Sequence, residues 1–441
     1  MESNITRREL MRRAGLAGGL AALGGIWTEG KARASRSANE RLSVAAIGAG
    51  GQGGSDIQQV ASDPTVDVVA LCDVDQARAA DTFKAFPKAR VFTDFRQMLE
   101  QVKEIDAVTV STPDHTHAPA AVMAMKLGKH VYCQKPLTHS VYEARVLMDV
   151  ARKHKVVTQM GTQGHAFPSN IRAVELLQSG AIGPVREVHV VTDRPIWPQG
   201  MTELPGSQPV PATLAWDLWL GPREHRPYHS AYLPFVWRGW WDFGTGALGD
   251  MACHLMDVAF WALKLRYPTS VVAEGEPLSR YSAPKWSVIT YQFPRRGSLP
   301  AVKMVWYDGG KQPSPETAGG RRLGREFNGS IFIGEKGRLL LEHAQEPLLL
   351  PVDQFEGFKG PDPYLPRPKS HYQQWVDACK GDGKTGSSFD YSGPLTEAVL
   401  LGNVAFRLGR EIEYDPATMR ARGCPEADAL LREPYRAGWE L

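Results

Sequence analysis

The chain has few cysteines. Five occur among its 441 residues, they are scattered, and no two of them form a C-x-x-C pair. Such a set excludes a disulfide framework as the source of the fold. The hydrophobic fraction of 43% is ample for a packed core, and the length predicts two domains, or three if a short tail counts. The sequence therefore describes a globular protein without internal repeats, in which one biased segment, residues 309–320, resembles a linker.

The chain also has no excess of charge of either sign beyond its first 34 residues. Residues 1–34 hold six of the 51 Lys and Arg side chains and three of the 48 Asp and Glu side chains, so 45 of each sign remain. The formal net charge of +3 thus belongs to the N-terminal segment. A neutral remainder gives no indication of a nucleic-acid partner.

The N-terminal segment has the pattern of an export signal. Twin arginines at positions 7–8 precede an uncharged small and apolar stretch, 14–26, and Ala32-Arg33-Ala34 is a candidate cleavage site. This pattern predicts a twin-arginine signal peptide over residues 1–34 and a polar linker over residues 35–40. The apolar stretch is short for a membrane span, but an uncleaved signal would anchor the protein. We expect a periplasmic or secreted protein that folds before the twin-arginine export machinery carries it.

A glycine-rich turn follows the first apolar run of the remaining chain. Leu42–Ile47 reads as a strand, and Val66–Leu71 as a second strand that ends just before Asp73. A strand, a glycine turn, a helix start and an acid about 20 residues later form a dinucleotide site. The acid accepts hydrogen bonds from a ribose diol and repels a 2'-phosphate, so NAD is expected rather than NADP. The neighbouring Asp75 is a candidate to share this role, and a solvated loop acid is the alternative interpretation of Asp73. The turn residues that we assign to the cofactor are Gly48, Gly50, Gly51, Gln52 and Gly53.

The spacing of the apolar runs divides the chain near residue 161. Up to that point strands and helices alternate, which predicts a doubly wound parallel sheet, a Rossmann-type domain over residues 41–161. Over residues 162–441, short and often alternating runs predict an α/β domain with a large, mostly antiparallel open sheet. The strands expected in the first domain are Leu42–Ile47, Val66–Cys72, Ala107–Ser111, His130–Cys133 and Val156–Met160.

Three polar side chains are candidates for chemistry. Lys135 follows a short buried strand, at the sheet edge that carries the glycine turn. Asp250 and His254 are four residues apart, so they lie on one face of a helix. An imidazole can take a hydroxyl proton as hydride leaves carbon, and a nearby ammonium stabilises the developing alkoxide. From the residues alone, a core histidine is the favoured interpretation of His254. Asp257 extends the row, but three ligands from one helix are a weak metal signal, and we expect no metal.

These features together resemble the Gfo/Idh/MocA family of glucose-fructose oxidoreductases and inositol dehydrogenases. The resemblance extends from residue 42 to about residue 410. Its specific parts are the glycine turn, residues 111–117 (STPDHTH), the pair Lys135-Pro136 and residues 244–254 (GTGALGDMACH). The resemblance implies that Lys135, Asp250 and His254 form the catalytic group, with Asp250 orienting the imidazole or binding the sugar. It also implies a set of residues beside the nicotinamide, which are Thr112, Pro113, His115, His117, Gln134 and Lys135.

One position departs from the pattern of that family. Gln134 stands where an acidic residue usually precedes the lysine. The exchange removes a negative neighbour from Lys135, and we expect it to lower the pKa of that lysine relative to relatives that keep the acid. Chemistry should survive, because an amide and a carboxylate have similar shapes.

Tryptophan is concentrated in one segment. Residues 197–241 hold six of the chain's twelve tryptophans. Flat apolar rings suit the C–H faces of a pyranose, although we expect at least half of these rings to serve packing. Trp240 and Trp241 are the candidates for the substrate pocket, and Arg194 and His165 at the domain junction are further candidates.

The sequence thus predicts an exported NAD-dependent oxidoreductase. It would transfer hydride between a secondary alcohol of a sugar, glycoside or cyclitol and a tightly bound nicotinamide cofactor. The family resemblance implies a homo-oligomer, a dimer or a tetramer. An NAD-dependent glycosidase or lyase that acts through a transient keto-sugar is the alternative. A non-catalytic sugar-binding protein is disfavoured by the joint presence of Lys135, Asp250 and His254.

Overall fold

The first domain is built on a six-stranded parallel sheet. The computed structural model describes residues 41–441, so the expected signal peptide and linker lie outside the described residues. The strand order β3-β2-β1-β4-β5-β6 is that of a doubly wound fold, and every pair in this sheet is parallel. Its elements are β1 (Leu42–Ile47), α1 (Gln52–Val60), β2 (Val66–Cys72), α2 (Ala80–Ala85), β3 (Arg90–Phe92), α3 (Phe95–Gln101), β4 (Ala107–Val110), α4 (His117–Lys126), β5 (His130–Cys133), α5 (Val141–His154) and β6 (Thr158–Met160).

The local sequence explains how the first domain starts its helices. Helix α1 begins at Gln52, and a Cβ atom at Gly53 would lie 1.8 Å from the carbonyl oxygen of Gly48. Only glycine fits there, so the helix packs directly on the turn that follows β1. At α5, Ser140 and Glu143 have the sequence spacing of a capping box and form one, in which each side chain accepts from the other's backbone amide.

The second sheet has nine strands in the order β13-β12-β11-β7-β10-β9-β8-β14-β15. Strands β7 and β10 run parallel and the other paired strands run antiparallel, as the alternating runs predict. The elements of this part are α6 (Pro168–Gln178), β7 (Val185–Val191), α7 (Trp216–Leu220), α8 (Gly246–Leu255), α9 (Asp257–Leu263), β8 (Ser270–Gly275), β9 (Ser287–Phe293), β10 (Val302–Tyr307), β11 (Gly329–Gly334), β12 (Arg338–Glu342), β13 (Leu348–Leu350), α10 (His371–Cys379), α11 (Phe389–Leu408), β14 (Ile412–Asp415), β15 (Arg420–Arg422) and α12 (Asp428–Leu431).

Two late helices join the domains. Helix α11 lies against α5 of the first domain and against α8 and β8 of the second. Helix α10 packs on α1, and its Trp375 and Val376 belong to the apolar cluster that also contains residues of β1 and β2. The chain after residue 161 therefore supplies part of the first domain's core. No helix within residues 41–441 combines the length and hydropathy needed to cross a bilayer.

Candidate active site

A cavity of about 640 Å³ lies at the carboxyl edge of the parallel sheet, lined by residues of both domains. Open α/β sheets bind ligands at this edge. Eight of the twelve residues assigned to the cofactor from the sequence line the cavity: Gly48, Gly50, Gln52, Asp73, Thr112, Pro113, Gln134 and Lys135. Lys135 and His254, two of the three catalytic candidates, line it as well.

The glycine turn and Asp73 form one end of the cavity. Gly48 has φ +80°, and a Cβ atom there would lie 2.7 Å from the carbonyl oxygen of Ser111. The amides of Ala49 and Gly50 each donate to Oδ2 of Asp73 at 2.8 Å. Burial raises the pKa of Asp73, and these backbone hydrogen bonds oppose that shift. The carboxylate is thus fixed beside the turn, where the adenosine ribose of a dinucleotide binds in this fold.

Four residues assigned to the cofactor do not line the cavity. Gly51 and Gly53 shape the turn behind it, and Gly53 packs on Gly48. His115 is buried, with its ring nitrogens 3.2 and 2.9 Å from the carbonyl oxygens of Phe243 and Trp219.

His117 is also buried and plays a comparable structural part. Its ring nitrogens lie 2.9 and 2.8 Å from the carbonyl oxygens of Pro136 and Thr112. Because every ring nitrogen of His115 and His117 lies within hydrogen-bond distance of a backbone carbonyl oxygen, and a neutral ring donates through one of its two nitrogens, these side chains contact the surrounding loops instead of facing the cavity.

Lys135 and Asp250 form an ion pair across the domain junction. The Nζ atom of Lys135 donates to Oδ1 of Asp250 at 2.8 Å and to its carbonyl oxygen at 2.7 Å. Arg238 also reaches Oδ1, through Nε at 3.0 Å, and lines the cavity beside Lys135. Burial by itself would raise the pKa of Asp250, but the charges and hydrogen bonds of Lys135 and Arg238 hold it below its ordinary value. Asp250 therefore stays ionised and fixes both cations at the cavity.

His254 lies one helical turn after Asp250 on α8. Burial, followed by the charge of Lys135, lowers the pKa of His254 well below its ordinary value, so the imidazole is neutral near pH 7. The hydroxyl of Thr162 donates to the carbonyl oxygen of Cys253 at 3.0 Å and lies 3.3 Å from Nδ1 of His254. Because the hydroxyl proton of Thr162 is directed at Cys253, its oxygen can only accept from Nδ1–H. The lone pair of the ring is then on Nε2, the arrangement that a general base needs.

Asp56 is a site residue that the sequence analysis does not single out. It is fully buried on α1 and accepts four hydrogen bonds. Gln52 and Tyr372 donate to Oδ1 at 2.7 and 2.8 Å, and Ser111 and Gln134 donate to Oδ2 at 2.7 and 2.8 Å. Three of these partners come from other elements, so no local spacing reveals the cluster. The local signal that could have pointed to Asp56 is an acidic residue within the helix that follows the glycine turn.

Further cavity residues come from segments distant in sequence. Arg78 follows Asp73 by five residues, and Tyr372 comes from α10, stacked on Tyr132 at 5.3 Å. The segment 233–238 supplies an aromatic rim, and the guanidinium of Arg238 lies 4.3 Å from the ring centroid of Trp237. The tryptophans at the cavity are therefore Trp219 and Trp237.

The predicted pocket tryptophans serve packing. Trp240 and Trp241 are 4% exposed and do not line the cavity. Their Nε1 atoms donate to the carbonyl oxygens of Ala231 at 2.8 Å and Ser279 at 3.2 Å. Both rings thus face the apolar clusters under the tryptophan-rich segment, and the prediction that they line the pocket is wrong.

The two candidates at the domain junction also lie outside the cavity lining. His165 stacks on Trp261 at 4.1 Å and its Nδ1 lies 2.9 Å from Asp257. Asp257 is the first residue of the separate helix α9, and its carboxylate is engaged with His165. Arg194 pairs with its neighbour Asp193. Across residues 41–441, no group of three or more His, Cys, Asp or Glu side chains is placed to hold a metal ion.

Comparison with known proteins identifies both domains. Residues 42–162 match the model of the Gfo/Idh/MocA oxidoreductase family, NAD-binding Rossmann fold, and residues 175–299 match the C-terminal α/β domain of that family. Together the two matches cover more than half of the chain.

Two curated relatives show how similar the chain is to known enzymes in sequence. Levoglucosan dehydrogenase of Pseudarthrobacter phenanthrenivorans is 25% identical over 190 residues, 43% of this chain and 40% of the relative. Inositol 2-dehydrogenase of Rubrobacter xylanophilus is 31% identical over 150 residues, 34% of this chain and 43% of the relative. The chain thus matches about two fifths of each relative's length.

The solved structure shares the fold over most of the chain. The WlbA dehydrogenase of Bordetella pertussis, solved with NADH and UDP-GlcNAcA, is 18% identical with a TM-score of 0.59 and covers 85% of this chain and 99% of its own. The family match, the strand order of the parallel sheet, and the glycine turn with Asp73 all indicate the same family. The chain belongs to the Gfo/Idh/MocA family of oxidoreductases, and its first domain is an NAD-binding Rossmann domain.

Proposed function

We propose that the protein is an exported oxidoreductase that moves hydride between a secondary alcohol of a sugar, glycoside or cyclitol and a tightly held NAD. The observation that carries the proposal is the meeting of Lys135 and His254 in the cavity that the glycine turn and Asp73 also line. The names of the related levoglucosan and inositol dehydrogenases support the substrate class. The twin-arginine pattern in the sequence of residues 1–34 supports export, and oligomer formation is part of the same proposal.

The residues of the cavity fit a dinucleotide. Backbone amides of the glycine turn and the N-terminus of α1 suit the pyrophosphate, and Asp73 suits the ribose diol. Gln134, Thr112 and Pro113 lie between this end and Lys135 along the carboxyl edge of the sheet. NAD, when bound, supplies the hydride acceptor.

Each catalytic residue then has one task. Lys135, held by Asp250, donates a hydrogen bond to the hydroxyl oxygen and stabilises the negative charge that develops on it. His254 accepts the hydroxyl proton at Nε2 while the C–H hydrogen leaves with its electron pair as hydride, and the alcohol becomes a ketone. The reverse reaction returns that proton from His254 to the oxygen. The low pKa of His254 keeps its imidazole unprotonated at neutral pH, so that it can accept the hydroxyl proton.

Purification without added nucleotide tests the first half of the proposal. We expect mass spectrometry to find NAD in the purified protein, and NADP to bind more weakly because Asp73 repels the 2'-phosphate. A protein that carries no dinucleotide and binds none would contradict the proposal. A screen of polyols and glycosides, monitored by absorbance of the reduced nicotinamide, tests the second half. Cleaved glycoside without net NADH would instead identify the glycosidase or lyase alternative.

A further inference from the structure

The last residues of the chain return to the cofactor end of the cavity. We define the clasp as residues 433–441, which follow α12. The clasp begins in a buried ionic cluster: Glu433 accepts from Arg223 at 2.5 Å and Arg407 at 2.9 Å, and lies 3.0 Å from Nδ1 of His139. These charges keep the pKa of Glu433 well below its ordinary value although burial opposes the shift. The start of the clasp is therefore fixed.

The middle of the clasp binds the tryptophan-rich segment. The backbone amide of Arg436 donates to the carbonyl oxygen of Pro222 at 2.8 Å, and Nε donates to that of Gly221 at 3.1 Å. The guanidinium also reaches the carboxylate of Asp217 on α7 at 2.5 Å. Leu218, the next residue of α7, lines the cavity.

The end of the clasp binds the first domain. Trp439 is 7% exposed, and its ring lies 4.4 Å from the guanidinium of Arg96 and 6.1 Å from the ring of Phe95. Phe95 begins α3 and lines the cavity with Asp73 and Arg78. The clasp therefore connects two walls of the cavity that come from different domains, one at Phe95 and one at Leu218.

We infer that Trp439 and Arg436 are positioning residues of the cofactor site, which hold these two walls together and slow the release of the dinucleotide. The inference rests on the proposed function, because it assumes that the dinucleotide occupies the Asp73 end of the cavity. The clasp would add a barrier to dissociation that the glycine turn alone does not supply. Neither residue touches Lys135, Asp250 or His254, so the chemical step is expected to be independent of the clasp.

The dissociation rate of NAD tests the inference. In the full-length protein we expect Trp439→Ala to release NAD about tenfold faster, equivalent to about 1.4 kcal/mol. Trp439→Phe keeps an aromatic ring on Arg96 and should remain within about threefold of the parent. Hydride transfer at saturating NAD should stay within about twofold in both variants. Release at the parental rate from Trp439→Ala would overturn the inference.

Two further variants separate positioning from general destabilisation. Arg436→Gln removes the ion pair with Asp217 and should also accelerate the release of NAD. This variant tests the inference even if Trp439→Ala does not fold. Arg432→Ala is the matched control, because Arg432 precedes the clasp and lies 4.1 Å over the ring of Tyr142, away from the cavity walls. Equal acceleration by Arg432→Ala and Arg436→Gln, in step with lower melting temperatures, would contradict a positioning role. A parent protein that binds no dinucleotide would instead defeat the proposed function itself.

Discussion

Position 134 shows how a side chain is chosen by a partner that is distant in sequence. From the sequence, Gln134 is expected to act on the pKa of its neighbour Lys135. In the structure, the amide nitrogen of Gln134 donates to Asp56 at 2.8 Å. A glutamate at this position would place two buried carboxylates in contact, which costs free energy unless one of them takes up a proton. The amide is therefore explained by Asp56, 78 residues earlier. The expected effect on the pKa of Lys135 stays a prediction.

Exchange of the two groups tests this explanation. We expect Gln134→Glu to weaken NAD binding at pH 8 by about tenfold or more, because of like-charge repulsion at Asp56, and to weaken it less at pH 5. Asp56→Asn alone should also weaken binding, whereas Asp56→Asn/Gln134→Glu restores one carboxylate and one amide and should recover most of the affinity. Calorimetric titration with NAD measures all four proteins. Additive losses in the double variant would show that the two side chains are not coupled.

Thr162 controls which nitrogen of His254 carries the proton. Thr162→Val removes the acceptor at Nδ1 and lets the imidazole adopt the other tautomer, so we expect kcat to fall about tenfold with little change in the affinity for NAD. Thr162→Ser keeps the hydroxyl and should retain near-parental turnover. Steady-state kinetics give the comparison. A Thr162→Val enzyme with unchanged kcat would remove the tautomer from the mechanism.

Helix α8 shows how a short motif can place the two proposed catalytic groups, Asp250 and His254, on one element. A Cβ atom at Gly249 would lie 1.8 Å from Oγ1 of Thr245, and this hydroxyl donates to the buried Asp114 at 2.7 Å. Glycine at 249 thus lets the first turn of α8 close on the loop that ties it to the first domain. Asp250 and His254 follow on the same helix.

Enlarging Gly249 tests that role. We expect Gly249→Ala to lower the free energy of unfolding by about 1–3 kcal/mol, because the added methyl group displaces Thr245 from Asp114. The same change should reduce turnover, since α8 carries Asp250 and His254. Gly206→Ala is the matched control, because no atom lies within 4 Å of its Cβ position. Chemical denaturation would contradict the account if both variants were equally stable.

The elements that the sequence predicts well are those with a strong local pattern. Continuous apolar runs located β1, β2 and β5 to the residue, and the capping box located the start of α5. Three of the four three-residue strands, β3, β13 and β15, carry too little pattern to be recognised, whereas β6 lies within the strand expected over Val156–Met160. The packing of α10 on the first domain depends on contacts across more than 200 residues, which no local period encodes. The assignment of Trp240 and Trp241 to the pocket also depends on contacts that no local period encodes. Rings that are close in sequence, such as Trp237 and Trp240, have different surroundings.

The whole molecule is expected to lose stability in acid. Burial lowers the pKa of His371 to about 4, and the hydrogen bond to the carbonyl oxygen of Met160 only partly offsets this. Below pH 6.5 the unfolded chain binds a proton that the folded state does not bind until about pH 4, so stability falls as the pH decreases across this window. This residue alone accounts for about 3 kcal/mol of that fall.

Unfolding at several pH values measures the effect. His371→Gln removes the titrating group, so its free energy of unfolding should decrease less between pH 6.5 and pH 4 than that of the parent. His154→Gln, at the surface end of α5, is the control and should follow the parent. Parallel pH curves for the parent and His371→Gln would contradict a buried neutral imidazole.

In the proposed reaction, one cavity brings NAD together with Lys135, Asp250 and His254 for hydride transfer. The most direct test of this proposal is the single-turnover absorbance of bound nicotinamide after mixing with a panel of sugars, glycosides and cyclitols. We expect at least one of them to reduce the bound cofactor in the parent, and Lys135→Ala to retain NAD but to react at least a hundredfold more slowly, about 2.7 kcal/mol of transition-state stabilisation. Lys129→Ala, on the same segment, should react like the parent. Reduction at the parental rate in Lys135→Ala would contradict the account.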